Sequence, residues 1–75
     1  MGGYNMEKIA EDVVRLFKNQ QQQMGDVVLR SIKVSLPPEC DADEVAKYII
    51  ANYPMYKAHS KGKEKGHPIL AIGHP

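Results

Sequence analysis

Apolar residues recur every three or four positions over the first third of the chain, at Met6, Ile9, Ala10, Val13, Leu16, Phe17 and Met24. Glu7, Lys8, Glu11, Asp12, Arg15 and Lys18 fill the opposite side. That period predicts an amphipathic helix. Asn5 can cap its first turn and Gly25 can end it. Glu11 and Arg15 stand one turn apart in the better order for an ion pair. The run Gln20 to Gln23 interrupts the stripe but favours helix, and extends it by a turn. Residues 26–36 then alternate. Val28, Arg30, Ile32, Val34 and Leu36 share one face, and Ser31, Lys33 and Ser35 share the other behind Val27 and Leu29. This predicts a strand stopped by Pro37-Pro38. Asp41 with Glu44 three residues on makes a capping-box start. A second helix is expected from about Ala42 to Asn52, burying Val45, Ala46, Ile49, Ile50 and Tyr53, and Pro54 ends it. Weak alternation from Met55 to Ser60, a glycine-bounded turn from Lys61 to Gly66 and a short apolar run from Ile69 to Ile72 read as a hairpin.

The order is therefore α-β-α-β-β, a small two-layer α+β domain with two helices on one face of a three-stranded sheet. The expected core is Ile9, Val13, Phe17, Ile32, Val34, Val45, Ile49, Ile69 and Ile72. With 75 residues the chain holds one domain, residues 1–75, with residues 1–5 expected as a flexible start. A domain of this size hides only about 60% of the surface its unfolded chain exposes. Its stability rests on a minimal core or on self-association, because Cys40 is the only cysteine and no disulfide can form within the chain.

The net charge of +1 excludes nothing by itself. Its distribution says more. Residues 37–56 carry Glu39, Asp41, Asp43 and Glu44 against Lys47, whereas residues 57–75 carry Lys57, Lys61, Lys63 and Lys65 against Glu64. Acidic residues in a first helical turn complement the helix dipole. The basic cluster has no such local reason. The free cysteine suggests a reducing compartment, so a cytoplasmic location is expected. No apolar run approaches the ~20 residues that span a bilayer, and no membrane partner is expected. Met1 to Asn5 lacks the basic start and apolar core of a signal peptide, and Met6 stands where a myristoylation motif needs Ser or Thr.

Candidate chemistry is sparse. His59, His67, His74 and Cys40 fit no zinc spacing, so no metal or other cofactor is expected. Cys40 precedes a helix start, but Glu39, Asp41 and Asp43 around it oppose a thiolate. Ser31, Ser35 and Ser60 have no base-and-orienter pattern. No catalytic set is visible, and a non-enzymatic binding protein is expected. The segment Gly62-Lys63-Glu64-Lys65-Gly66 lacks the spacing of a phosphate-binding P-loop. It reads either as a solvated hairpin tip or as a basic finger that contacts phosphates, with Tyr56 or Tyr53 nearby to stack on bases.

Leu36-Pro37-Pro38, an acidic helix start, a helix, then Ser60-x-Gly62 and a basic turn entering an apolar strand resembles the R-three-H domain. That resemblance covers about residues 34–73 and implies a small α/β domain binding single-stranded DNA or RNA. The family's signature arginine and histidine would fall at Val45 and Ile49, so that pair is not carried over. The Ser60 to Gly62 turn and its basic neighbours are. The expected nucleic-acid site is Lys57, His59, Lys61, Lys63 and Lys65, extended by Arg30 and Lys33. A second reading is a homodimeric or adaptor module. Its basis is an apolar edge at Ile69-Leu70-Ala71-Ile72, flanked by Pro68 and Pro75, and four methionines suited to adaptable contacts.

Overall fold

Asn5 opens helix α1 (Met6–Met24) by accepting the Lys8 N–H at 3.1 Å, and Gly25 closes it at φ 66°. In the computed structural model, which describes residues 4–75, this helix is followed by β1 (Ser31–Ser35), α2 (Ala42–Asn52), β2 (Lys57–Glu64) and β3 (His67–Gly73). Both partners of β3 run antiparallel to it, and the sheet order is β1-β3-β2. The α-β-α-β-β order and two-layer α+β fold are as expected.

The helices bury one face of the sheet. Ala10, Val13, Val14 and Phe17 from α1 and Ala42, Val45, Ala46 and Ile49 from α2 meet Leu70 and Ile72 of β3 and Ala58 of β2. Phe17, Val45, Ile49, Leu70 and Ile72 are the largest side chains fully removed from water. Several expected positions differ. Val14 replaces Leu16 on the buried stripe, because residues 10, 13, 14 and 17 form a tighter arc than one including position 16. Leu16, Met24 and Ile50 remain 40–49% exposed. Ile9, Ile32 and Val34 are only half-buried. Arg15 pairs with Asp12 at 3.3 Å and not with Glu11.

The expected strand over 26–36 shortens to five residues. The partner strand accounts for the loss, since β3 ends at Gly73 opposite Ser31. Gln21 holds the preceding segment instead: its amide donates to the Val27 carbonyl at 3.0 Å and accepts the Leu29 N–H at 2.7 Å. Val27 and Val28 are left exposed. The hairpin is tighter than expected, since only Lys65 and Gly66 form its turn. Both have positive φ, 51° and 82°, the requirement of a two-residue type I′ loop.

The segment Ile69-Leu70-Ala71-Ile72 is not an edge. It is the centre of the sheet, bonded on both sides and buried throughout. Pro68 fits this central strand for a specific reason. Leu36 donates to the Pro68 carbonyl at 2.9 Å, and proline has no N–H to return the bond. His67 Nδ1 lies 2.9 Å from the Leu36 carbonyl, so a protonated Nδ1 supplies the missing donor. His67 is therefore half-buried and engaged. His74 likewise packs against Phe17 with ring centroids 5.1 Å apart.

Gly73 closes β3 tight against the start of β1. A Cβ at this position would stand 2.5 Å from the Arg30 carbonyl oxygen and 2.7 Å from Ser31 Cβ. Backbone cannot swing aside as a flexible side chain can. Gly73→Ala is expected to cost about 1–3 kcal/mol in urea unfolding. A midpoint equal to that of the parent would show that β1 and β3 separate more readily than this packing allows.

Candidate nucleic-acid interface

Alternation along each strand sorts side chains between the helix-covered face and the open one. On β3, Leu70 and Ile72 belong to the core beneath the helices, so Ile69, Ala71 and Gly73 look the other way. Across β1 the matching partners are Ser35, Lys33 and Ser31. Across β2, Lys57 pairs with Gly73 and His59 with Ala71, and Lys61 follows on the same side beside Ile69. The open face is thus a series of transverse rows: Ser31, Gly73 and Lys57, then Lys33, Ala71 and His59, then Ser35, Ile69 and Lys61. Gly73 and Ala71 keep the central strand low, and the longer lysines rise on both sides. Ile69 and Ala71 are themselves only 6% and 7% exposed, so the flanking side chains close over the centre of what is a shallow trough about 10 Å across and about 13 Å along.

The bulge in β2 divides the expected basic cluster. Ser60 pairs with Leu70 but Lys63 pairs with Pro68, so Lys61 and Gly62 together oppose Ile69. Gly62 takes φ 83° there. One extra residue reverses the alternation. Lys63 consequently turns to the helix side, in a cleft with Cys40, Asp41 and Pro68. Lys65 sits at the hairpin tip. Lys57, His59, Lys61 and Lys33 share the open face. Arg30 joins them at one end, where it lines a hollow with Lys57, Ser31 and His74.

Of the nine acidic residues only Glu64 lies in a strand, and the same reversal turns it to the open face beyond Lys61, whereas the strands carry Lys33, Lys57, Lys61 and Lys63. Among the described residues the ion pairs are Lys8–Asp12 and Arg15–Asp12, both on α1, so the strand lysines have no acidic partner within 4.0 Å. The aromatic residues do not join this surface. Tyr56 stands edge-on to Phe17 at 5.5 Å, on the helix side, and Tyr53 caps the end of α2. The expected base-stacking tyrosines are thereby committed to packing.

The Ser60 to Gly62 segment forms the bulge, and Val45 and Ile49 are fully buried in the core. At the start of α2, Asp41 accepts the Asp43 and Glu44 N–H groups at 2.9 and 3.4 Å. The second half of the capping box runs through Tyr4. Its hydroxyl accepts the Asp41 N–H at 3.1 Å and donates to Glu44 Oε1 at 2.7 Å. Tyr4 and Asn5, expected in the free start, are thus engaged, while positions 1–3 lie outside the described residues. Among the described residues no cluster of three metal-binding side chains occurs, and no helix is long and apolar enough to cross a membrane.

Burial and the neighbouring Glu39 push the Cys40 thiol above its ordinary 9.0. Burial and the bond to Glu44 push Tyr4 above 10.0, against a smaller opposing effect from the Asp41 backbone. Folding favours the neutral form of both acids. Their contribution is complete below the ordinary values and disappears as pH rises through the shifted ones. The thermal midpoint is expected to fall between about pH 8 and about pH 11, with Cys40→Ala and Tyr4→Phe each flattening the fall. A midpoint constant over that interval would contradict both shifts.

Neither a family model nor a curated protein nor a solved structure matches the chain.

Proposed function

We infer that this domain binds single-stranded nucleic acid, DNA or RNA, by laying a phosphate backbone along the trough over β3, and that it does so without catalysis. The observation that carries this reading is the sharing of one open sheet face by Lys33, Lys57 and Lys61, with no acidic partner among the described residues. Unpaired ammonium groups around a low floor suit a flexible polyanion. Lysine offers a point charge and no planar fork, so the contacts supply affinity more than sequence discrimination. His59 adds a hydrogen-bonding side chain in the middle of the face. Stacking contributes little, because the tyrosines belong to the helix side.

Salt dependence tests the reading. Each phosphate neutralised on a single strand contributes about −0.7 to the slope of log affinity against log salt. Contacts from the three lysines predict a slope near roughly −2 for a mixed-sequence oligonucleotide. Absence of binding at low salt, or binding indifferent to salt, would sink the proposal.

A further inference from the structure

The outer edge of β1 is open for pairing. The Leu36 N–H bonds Pro68, and the Arg30 carbonyl accepts from His74 at 3.0 Å. The even-numbered residues between them therefore direct their backbone groups to β3, and Ser31, Lys33 and Ser35 direct theirs away. Among the described residues no hydrogen bond reaches these three from that side. The other edge, β2, is guarded by its bulge and its dense charge. β1 has neither a bulge nor more than one charged residue.

Both sides of this edge specify what would fit. On the helix side Ile9, Leu16 and Val34, together with the carboxylate of Asp12, border a shallow and mainly apolar groove that runs to Leu36 and Pro37. On the open side Lys33 stands alone between two serines. A strand added here sends alternate side chains to the two sides. The one opposite Val34 enters the groove, the one opposite Ile32 packs on that half-buried side chain, and the one opposite Lys33 meets a cation with no acidic partner among the described residues.

We propose that the β1 edge accepts an extended antiparallel segment of another protein, with an acidic residue opposite Lys33 and an apolar residue on either side of it. This is strand addition, in which main-chain bonds give affinity and alternate side chains give selectivity. A second copy of this chain fits poorly. Ser31-Ile32-Lys33-Val34-Ser35 reads nearly the same in both directions, so the symmetric pairing of all five residues would set Lys33 against its own counterpart, and a slip by two would leave only residues 31–33 or 33–35 paired. Like charges directly opposite one another weaken such a pair.

The test uses the isotope-labelled full chain and two capped peptides, Lys-Thr-Val-Glu-Val-Thr-Lys and its counterpart with lysine in place of glutamate. At millimolar peptide the Ser31, Lys33 and Ser35 amides are expected to shift and to gain protection from hydrogen exchange. The glutamate peptide should bind about fivefold more tightly. Leu16→Asn, at a side chain already 40% exposed, should remove the peptide response and leave the oligonucleotide response intact. Ser35→Pro is a second variant, which removes an outward N–H without removing a ladder bond and should also abolish the response. Three unmoved amides would overturn the proposal, as would equal affinity for the two peptides. Protection of the same amides on concentrating the protein alone would also overturn it, in favour of a second copy.

Discussion

Phe17→Ala is expected to leave most of the protein unfolded at room temperature. The ring is 1% exposed, and it is the point where α1 meets the end of the sheet, with Tyr56 at 5.5 Å and His74 at 5.1 Å. Emptying such a site costs about 3–5 kcal/mol, combining lost transfer energy with the cavity left behind. The core of a domain this small supplies roughly 3–5 kcal/mol in all. The two magnitudes are comparable, so little folded population should remain. Circular dichroism in a urea series reads this directly. A variant melting within about two degrees of the parent would mean that α1 is held by something other than this ring.

The second large effect concerns binding. Replacing Lys33, Lys57 and Lys61 together by Gln is expected to weaken oligonucleotide affinity on the order of 100-fold at about 50 mM salt. That magnitude follows from losing a slope of about −2 over slightly more than one decade of salt. The same substitutions at Lys63 and Lys65 should change affinity less than about threefold, because those side chains lie off the trough. All five positions are exposed, so neither variant should lose much stability. Equal losses from the two variants would favour a hairpin-tip contact over a sheet-face contact.

The contrast between these variants marks where the sequence stops being legible. The helices follow from periodicity and caps, because Asn5, Gly25 and Asp41 act locally on the turns beside them. The strands depend on partners far along the chain. Nothing in the pattern of residues 26–30 announces that β3 will end opposite Ser31 and that Gln21 will hold them instead. Nor does the apolar run at 69–72 reveal by itself that it is central and not an edge, since both positions favour the same residues. The basic cluster was readable as composition, but its division was not. A lysine or histidine at every second position from 57 to 65 implies a single face only if the strand is regular. The bulge at Lys61-Gly62, decided by Gly62 and its pairing to β3, moves Lys63 to the other side. Lys33, which the sequence suggested only as an extension, becomes one wall of the trough.

Mapping amide shifts during titration with a mixed-sequence single-stranded oligonucleotide tests the central claim most directly. The account predicts shifts concentrated at Lys33, Lys57, His59, Lys61 and Ala71, fading as salt is raised. Shifts confined to Lys63 and Lys65 at the hairpin end, or none at low salt, would contradict it.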